Sequence, residues 1–415
     1  MSQNFALQLE RYLPLPILRL VKDAGEKASR LGQEVYIVGG VVRDLFLGRP
    51  NFDLDLVVEG DAIKLAQELA KGSQVKLTVH SRFGTAKLSY TDFSLDLATA
   101  RRETYSRPGV LPTVQTGNIT DDLYRRDFSI NAMALRLTPQ SFGELVDLYH
   151  GKDDLEHGLI RILYPKSFID DATRILRALR YEQRLGFKLE TETAELLRRD
   201  AVMLNTISGD RLRHELELIL KEDYPERILR RAEELRVLNK LHPSLKGDGW
   251  LGQKFVQVRQ MTKRTSPSPL YLCLLIYKLT EEENEQFISR LNFSKVLAQA
   301  MRHTLQLKAQ LHSLDKPKLR PSDIYQSLYD YTPLAIQANA LASESPVVSR
   351  HLQLYLEKLR YVKPLLDGED LKRMGIPQGP QLGELLNALH EARLNGKVKT
   401  RQDEEKLAHG WRSKL

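Results

Sequence analysis

Two acidic residues, two positions apart, are candidate ligands for a metal ion. Asp53 and Asp55 lie in the segment FDLDLVVEG (52–60), which is typical of a β-strand. Strand side chains alternate between two faces, so both carboxylates are expected to project to the same side. Because two carboxylates this close repel each other, they favour a bound cation, and Mg²⁺ prefers oxygen ligands of this kind. The alternative is an ordinary solvated surface, since the Asp-x-Asp pattern is common.

Two glycines upstream favour a nucleotide as the partner of that metal ion. Gly39 and Gly40 follow an apolar segment, EVYIV, and open a predicted helix, VVRDLFLG. Backbone N–H groups and the helix dipole at such a turn can bind a phosphate, and Arg43 in the first helical turn can add a charged hydrogen bond. A tight turn would explain the two glycines equally well. Together with Asp53 and Asp55, the pattern predicts a site for a nucleoside triphosphate and a divalent cation.

The segments that position these residues alternate between strands and helices up to about residue 140. After the acidic pair come an amphipathic helix, DAIKLAQELAKG, and three predicted strands, QVKLTVHS, FGTAKLSY and FSLDLATA. Beyond Arg136 the strand signals nearly vanish, apart from GELVDLY and LIRIL, and one helical pattern follows another. The sequence therefore predicts a mixed α/β domain followed by a long helical region.

Composition and charge restrict the class of protein further. The 415 residues include 62 Lys and Arg against 54 Asp and Glu, and the resulting net charge of +8 favours a polyanionic partner. The single cysteine, Cys273, excludes an internal disulfide framework and a Cys-based zinc site, and its apolar neighbours predict a buried helical position. No apolar run could span a membrane and no secretory signal is readable, so we expect a cytoplasmic protein. The ten histidines lack metal-site spacing, and no P-loop or Gly-x-Ser-x-Gly motif occurs.

Four segments resemble motifs of one enzyme family, the class II tRNA nucleotidyltransferases, which include the bacterial CCA-adding enzymes and the poly(A) polymerases. They are YIVGGVVRDLFLG with DLDL, RRDFSINAMA (125–134), DDATRILRALRYEQRLGF (170–187) and RLRHEL (211–216). The similarity covers residues 35–220, and a weaker one covers GEDLKRMGIPQGPQLGELLNAL (368–389) and GKVKTRQDE. The resemblance implies Mg²⁺-dependent transfer of nucleotides from CTP and ATP to the 3′ end of tRNA, with release of pyrophosphate.

The resemblance also implies an α+β fold in four parts. These are a nucleotidyltransferase head with a mixed sheet and helices (1–140), a neck that recognises the base (141–225), a helical body (226–325) and a helical tail that binds tRNA (326–415). The basic helical regions would contact the phosphates of the acceptor and T arms of the tRNA.

By the same resemblance, the motif RRDFSINAMA contributes to nucleotide binding. Asp127 and Asn131 would face the ribose, and Arg126 would contact a phosphate or support the structure. Polar residues packed into a segment that ends apolar conflict with a purely structural role. The alternative is an ion-paired corner between a strand and a helix.

The motif DDATRILRALRY is the candidate for recognition of the base. Asp171 and Arg174 are three residues apart and are expected to share one face of a helix, where an intrahelical ion pair is the simplest alternative. The family pattern is Glu-Asp-x-x-Arg, with Asp170 here in place of the glutamate, and it implies that Asp171 and Arg174 read the Watson–Crick edge of CTP or ATP. A carboxylate accepts from the exocyclic amine that C and A share, and a guanidinium donates to the adjacent ring nitrogen, whereas U and G present the opposite pattern. The resemblance adds Arg177 and Arg180 of the same helix to the nucleotide site.

A third carboxylate is expected near the acidic pair, because a two-metal transfer site needs ligands for both ions. Asp96 in FSLDLATA is the candidate, on a strand expected to neighbour that of Asp53, and Glu103 is the substitute. In the family, a flexible loop at the position of residues 99–120 takes part in the switch from C to A addition. An ordinary surface loop is the alternative for this segment.

The C-terminal region offers a candidate RNA-binding surface. Gly379 and Gly383 precede a predicted helix whose N-terminus can bind a phosphate, and Lys397 and Lys399 follow in GKVKTRQDE. A plain turn between helices is the alternative.

Several functions stay open at the level of sequence. Within the enzyme family the alternatives are an enzyme that adds only CC, one that adds only the terminal A, and a poly(A) polymerase. A catalytically silent RNA-binding protein and a nucleotidyltransferase that modifies proteins are alternatives of other classes. The intact pair of Asp53 and Asp55 favours an active enzyme.

Overall fold

The computed structural model describes residues 3–71, 74–261 and 267–412. The chain forms two compact units: unit 1 comprises Met1–Leu216 and Arg231–Lys240, and unit 2 comprises Glu217–Arg230 and Leu241–Leu415. Within the described ranges, no helix has the length and the apolar character needed to cross a membrane.

Among the described residues of unit 1, seven strands form one mixed sheet in the order β3-β4-β5-β2-β1-β8-β9. Strands β2 and β5 are parallel, and the other neighbours in this sheet are antiparallel. Two smaller sheets pair β6 with β7 and β10 with β11. The strands are β1 (Glu34–Val38), β2 (Leu54–Glu59), β3 (Lys76–His80), β4 (Thr85–Ser89), β5 (Ser94–Thr99), β6 (Arg101–Thr104), β7 (Thr113–Thr116), β8 (Met133–Arg136), β9 (Leu145–Asp147), β10 (Leu159–Ile160) and β11 (Lys188–Leu189).

Helices make up most of the remaining chain, and the chain passes between the two units within α10, α11 and α12. The helices are α1 (Ala6–Tyr12), α2 (Leu15–Arg30), α3 (Gly40–Phe46), α4 (Ala62–Ala70), α5 (Ile119–Tyr124), α6 (Gly151–His157), α7 (Ser167–Asp170), α8 (Thr173–Leu185), α9 (Thr191–Asp200), α10 (Gly209–Leu220), α11 (Pro225–Glu234), α12 (Leu238–Leu241), α13 (Gly249–Met261), α14 (Ser268–Leu275), α15 (Glu281–Leu291), α16 (Lys295–Gln310), α17 (Pro321–Leu328), α18 (Pro333–Ala342), α19 (Pro346–Glu357), α20 (Gly368–Arg373), α21 (Pro380–Leu394) and α22 (Arg401–Arg412).

The two faces of the large sheet have different coverings, because successive side chains of a strand point to opposite faces. Helix α4 packs against β2, β3, β4 and β5 on one face. On the other face, Val57 of β2 packs with Tyr36 of β1 and with Ile119 and Leu123 of α5. Asp55 precedes Val57 by two residues and therefore lies on this second face, beyond the apolar cluster.

Unit 2 is helical throughout its described residues. One buried cluster includes Leu307, Ile336 and Leu352 from α16, α18 and α19. A second cluster includes Leu385 and Ala408 and joins α20, α21 and α22.

The predicted α+β fold is confirmed, and so is the buried helical position of Cys273, which lies in α14 with no exposed surface. The three strands predicted between residues 74 and 100 are β3, β4 and β5. The large sheet continues to β9, so it extends beyond residue 140.

Two local predictions differ from the structure. The segment 99–120 is not an irregular loop, because β6 and β7 form an antiparallel hairpin in it. The helix expected from Asp170 onwards is also wrong, since the chain is extended at Asp171 (φ −135°, ψ 96°) and α8 begins only at Thr173. The Asp171 carboxylate accepts from the Thr173 N–H, and such local hydrogen bonds compete with a continuous helix.

Candidate functional site

A cavity of about 780 Å³ in unit 1 brings together most of the residues predicted to carry the chemistry. Its lining includes Gly39, Gly40, Arg43, Asp53, Asp55, Arg126, Asp127, Asn131, Asp171, Arg174 and Arg177. Asp96 and Arg180 do not line this cavity, and the predicted RNA-binding residues of the tail lie in unit 2.

The acidic pair lies at the start of β2. Asp53 and Asp55 both line the cavity, and Leu54 between them is buried on the opposite side of the strand. The Asp53 N–H donates to the side-chain oxygen of Asn51 at 3.0 Å, which fixes the turn before the strand. Solvent reaches Asp55 through the cavity. The surrounding walls nevertheless desolvate its carboxyl group, and this desolvation, together with the nearby charge of Asp53, raises the pKa of Asp55 to about 6. The two carboxylates therefore share one open space, as a metal pair requires.

Asp96 lies next to Asp55, on the neighbouring strand. In the parallel pairing of β2 with β5, Asp55 and Asp96 are direct partners, so the prediction that the two strands are neighbours is confirmed. The Asp96 carboxylate is bound by Lys87 of β4, with 2.7 Å between Nζ and Oδ2. The described residues contain no group of three or more His, Cys, Asp or Glu side chains placed to hold a metal ion. A divalent cation at Asp53 and Asp55 would therefore draw further ligands from water or a bound phosphate.

The substitute third carboxylate, Glu103, lines the same cavity, and both of its carboxylate oxygens accept hydrogen bonds. Its Oε1 accepts two hydrogen bonds from Arg101, and its Oε2 accepts one from the Tyr105 hydroxyl at 3.0 Å.

The glycine turn packs directly against an arginine. Gly39 has φ 72°, and a Cβ atom built on it would lie 2.8 Å from Nη1 of Arg126. The Nη2 of Arg126 donates to the buried carboxylate of Asp122 at 2.9 Å, and Arg125 donates to the same carboxylate. Only glycine combines this backbone conformation with room for the guanidinium. The sequence reasoning missed Asp122. This residue of α5 lies three and four positions before the two arginines, which is the spacing that predicts such a contact.

A continuous hydrogen-bonded network holds the motif RRDFSINAMA. Arg43 donates to the Asn131 side-chain oxygen at 2.8 Å and pairs with Asp44. Asn131 donates to Oδ1 of Asp127 at 2.9 Å, and Arg177 donates twice to Oδ2 of Asp127, at 2.9 and 2.6 Å. Burial alone would raise the pKa of Asp127, but the charge of Arg177 and these hydrogen bonds outweigh it and lower that pKa.

The network bears on two of the predicted roles. Protein donors occupy both oxygens of Asp127, which matches the ion-paired alternative, so its contact with a ribose stays a prediction. The phosphate contact of Arg43 likewise stays a prediction, because Asp44 and Asn131 bind its guanidinium.

Tyr181 is a further residue that the sequence reasoning missed. Its ring lies 5.4 Å from the guanidinium carbon of Arg43, 5.8 Å from that of Arg177 and 5.3 Å from that of Arg180. Arg180 itself is buried and pairs with Glu215 at 3.6 Å, behind the cavity wall. Three guanidinium groups therefore surround one aromatic ring, and each of them is also paired with a carboxylate: Arg43 with Asp44, Arg177 with Asp127 and Arg180 with Glu215.

Asp171 presents one open carboxylate oxygen to the cavity. Its Oδ1 accepts from the N–H and the hydroxyl of Thr173 and from Nη2 of Arg211, the last at 2.6 Å. Among the described residues, no donor binds Oδ2. Arg211, which the sequence reasoning did not assign, thus fixes the orientation of Asp171.

Arg174 is anchored at the same end of the cavity. Its Nη1 donates to the Tyr164 hydroxyl at 3.1 Å and to Ser167 at 2.7 Å, and its Nη2 donates to the Arg125 carbonyl oxygen at 2.7 Å. Because Asp171 precedes α8 instead of lying in it, no shared helical face aligns it with Arg174. Side chains from other segments hold each of the two residues in place.

The four predicted RNA-binding residues of unit 2 do not form one cluster. Gly379 is the residue before α21, with φ 149°. Gly383 was predicted to precede this helix as well, but it lies inside the helix. Lys397 and Lys399 follow its other end and are exposed. Since α21 has 15 residues, Gly379 is separated from the two lysines by a helix about 22 Å long.

Comparison with known protein families gives three matches along the chain. Residues 35–161 match the poly A polymerase head domain, residues 186–248 match a "Probable RNA and SrmB-binding site of polymerase A", and residues 264–404 match a tRNA nucleotidyltransferase domain 2.

The chain is also similar to curated proteins. It is 35% identical to the A-adding tRNA nucleotidyltransferase of Halalkalibacterium halodurans over 97% of this chain and 94% of that protein. It is 34% identical to the A-adding enzyme of Geobacter sulfurreducens and 37% identical to that of Aquifex aeolicus, over 96% and 87% of this chain. The chain spans about half the length of these last two relatives, 48% and 45%.

Solved structures show the same similarity over the full chain. A CCA-adding enzyme in complex with ATP has a TM-score of 0.82 at 30% identity, and a CCA-adding enzyme in complex with CTP has a TM-score of 0.82 at 31% identity. Each of these similarities covers 100% of this chain and 99% of the other chain. The CCA-adding enzyme of Thermotoga maritima in complex with tRNA has a TM-score of 0.78 at 31% identity, over 99% of both chains. The chain thus belongs to the family of tRNA nucleotidyltransferases that carry a poly(A) polymerase head domain.

Proposed function

We propose that the protein transfers nucleotides from CTP and ATP to the 3′ end of tRNA, with release of pyrophosphate. One observation carries the proposal: a single cavity is lined by the acidic pair Asp53 and Asp55, by the glycine turn with Arg126, and by Asp171 with Arg174. Nucleotidyl transfer needs a metal site, a triphosphate site and a means of selecting the base, and these three groups supply them. Similar enzymes solved with ATP, with CTP and with tRNA support the choice of substrates.

Membership of the family implies dependence on a divalent metal ion, and we propose Mg²⁺. Two carboxylates at the edge of an open cavity fit such an ion, because triphosphate oxygens and water can complete its oxygen ligands. Asp53 and Asp55 would hold it, with Asp96 available once Lys87 releases it. When bound, the metal ions lower the pKa of the attacking 3′ hydroxyl and stabilise the departing pyrophosphate.

The chain's own residues orient the triphosphate. Arg126 is held over Gly39 by Asp122, so its charge stands beside the glycine turn where a phosphate would lie. Its Nε is buried and has no hydrogen-bond partner among the described residues, which leaves a donor for a ligand.

Selection of the base rests on Asp171 and Arg174. The open Oδ2 of Asp171 accepts a hydrogen bond from the exocyclic amine of cytosine or adenine. Uracil and guanine carry a carbonyl oxygen at the corresponding position, which would face this carboxylate oxygen without a proton between them. The proposed site therefore takes CTP and ATP and rejects UTP and GTP.

We further propose that the helical unit binds the acceptor and T arms of the tRNA, with Lys397 and Lys399 among the phosphate contacts. In this proposal the head (1–140) carries out catalysis, the neck (141–225) recognises the base, and the tail (326–415) binds the tRNA, with the helical body (226–325) between neck and tail in the sequence. The free, buried Cys273 fits the cytoplasmic setting of such an enzyme.

Addition of only the terminal A is the second candidate. It is favoured because the three curated relatives described above, which are 34% to 37% identical, are A-adding enzymes.

One experiment tests the function and separates the two candidates. Transfer RNAs that end at the discriminator base, at C and at CC are incubated with CTP, with ATP or with both, and the products are sized on a gel. Three additions to the shortest substrate indicate a CCA-adding enzyme, and addition of A only to the CC end indicates an A-adding enzyme. Asp53→Ala is expected to abolish incorporation while tRNA binding persists. Turnover of Asp53→Ala within a few-fold of the wild type would contradict the metal assignment.

A further inference from the structure

A second cavity, of about 390 Å³, adjoins the cavity of about 780 Å³ in which we place the nucleotide, called the nucleotide cavity below. The second cavity has no role in the mechanism above. Asp55, Arg101, Arg125 and Arg126 line both cavities, so the second one opens on the other side of the acidic pair. A transfer reaction needs two substrates at one pair of carboxylates, and they must approach from different sides. The nucleotide cavity accounts for one of them.

The floor of the second cavity is an uncovered part of the large sheet. The register places Lys87 of β4 beside Asp96 of β5, and Asp96 beside Asp55 of β2. Because paired residues of neighbouring strands lie side by side on one face, these three side chains form a row. Thr85 and His80, which pair with each other across β4 and β3, extend this face away from Asp55.

The row is polar where the rest of the face is apolar, and the lining of the second cavity contains more Lys and Arg than Asp side chains. The apolar cluster around Val57 and α5 ends where the row begins, and the lining of the second cavity includes His80, Lys87 and Arg101. Lys87 donates one hydrogen bond to Asp96, and the side chains of Lys87 and Asp96 are 43% and 39% exposed, respectively. An ammonium group has three donors, so two remain for a ligand in the cavity.

We propose that the second cavity binds the terminal nucleotide of the RNA acceptor, with Lys87 donating to its phosphate group. This inference rests on the proposed function and deepens it, since it places the 3′ hydroxyl on the Asp55 side of the metal pair, opposite the triphosphate. A volume of about 390 Å³ suits one nucleotide, whereas the cavity of about 780 Å³ has room for a nucleoside triphosphate. Phosphate contacts of this kind position an RNA without reading its sequence.

The test compares Lys87→Met with two controls. Lys87→Arg keeps the charge, and Lys64→Met removes an equivalent charge from an exposed position of α4 that lines none of the cavities described above. Loss of a hydrogen bond to a charged group predicts that Lys87→Met raises the KM for tRNA by about tenfold. The KM for ATP, measured at saturating Mg²⁺, should change less than about threefold. Lys87→Arg should recover most of the loss, and Lys64→Met should behave like the wild type.

A cross-link identifies the location independently of kinetics. A tRNA acceptor stem with a photoreactive group on its terminal nucleotide should label the peptide that spans β3 and β4. Labelling confined to other peptides would overturn the inference, and so would an effect of Lys87→Met on the KM for ATP that exceeds the effect on the KM for tRNA. A wild-type protein that adds nothing to tRNA would refute the proposed function itself, whereas an active wild type with a normal Lys87→Met variant would refute this inference alone.

Discussion

Arg177 forms an ion pair with Asp127 in which Nε and Nη2 donate to the same carboxylate oxygen, Oδ2, at 2.9 and 2.6 Å. The pair joins the segment after α5 to helix α8, 50 residues further along the chain. Asn131 and Arg43 extend it to the helix that follows the glycine turn. The part of the cavity that would hold the nucleotide is therefore fixed before any ligand binds.

Asp127→Asn tests this pair directly. The change keeps the shape of the side chain but removes its charge, so Arg177 loses its main partner while it stays mostly buried. Since Arg177 is about one third exposed, we expect a loss of about 2 kcal/mol in the free energy of unfolding of unit 1, at the low end for a buried pair. Urea denaturation followed by tyrosine fluorescence measures it. Glu156→Gln, which breaks an exposed pair with Lys152, should leave the urea midpoint nearly unchanged and serves as the control.

Gly39→Ala separates backbone strain from steric conflict with Arg126. A side chain at φ 72° costs about 1 kcal/mol of stability, and the added Cβ would also meet the Arg126 guanidinium at 2.8 Å. Gly32 has φ 69° and open space around it, so Gly32→Ala shares the strain without the conflict. We expect both variants to lose melting temperature, and Gly39→Ala to lose more, because it must also displace the Arg126 guanidinium. Only Gly39→Ala should raise the KM for ATP, by about tenfold if one charged contact to the triphosphate is lost. Equal KM values for the two variants would remove Arg126 from the phosphate site.

Asp171→Asn should change the choice of base. Arg211 and Thr173 would keep the carbonyl oxygen of the new amide, so its NH₂ group would face the base as a donor. A donor suits the carbonyl oxygen of uracil and opposes the amine of cytosine or adenine. The ratio of kcat/KM for CTP over UTP is expected to fall by about 100-fold. Incorporation of each labelled triphosphate into tRNA measures the ratio. Asp153→Asn, at an exposed position of α6, is the matched control, and an unchanged ratio for Asp171→Asn would show that the base is read elsewhere.

The pKa of Asp55 predicts how metal binding depends on pH. In the metal-free protein, desolvation by the cavity walls raises this pKa to about 6. Below that value the carboxyl group is protonated, and a divalent cation must displace the proton in order to bind. The affinity for Mn²⁺ is expected to fall about tenfold per pH unit below pH 6 and to level off above it. A titration by electron paramagnetic resonance between pH 5 and pH 7.5 measures the profile. Asp55→Asn should bind more weakly and lose the inflection, and a flat profile for the wild type would contradict the prediction.

Local patterns were sufficient for the elements that carry the acidic pair. The alternation in FDLDLVVEG predicted a strand with both carboxylates on one side, and both line one cavity. The neighbouring position of Asp96 also followed from strand patterns. The helix break at Asp171 could not be predicted from periodicity, because a single side-chain hydrogen bond to the Thr173 N–H decides it. Strands β6 and β7 escaped prediction because each has only four residues and their side chains are mostly polar or exposed.

The sequence by itself determined which chemical groups are present and the elements on which they lie: an acidic pair on a strand, a glycine turn, and arginine-rich motifs beside helices. Only the tertiary structure decided their partners. The contacts of Arg126 with Gly39, of Arg177 with Asp127 and of Arg211 with Asp171 join residues 87, 50 and 40 positions apart. Periodicity reports which face of its own element a residue occupies. The neighbours of that face depend on how strands and helices pack against one another, and this packing fixes which charges are paired and which remain open to a substrate.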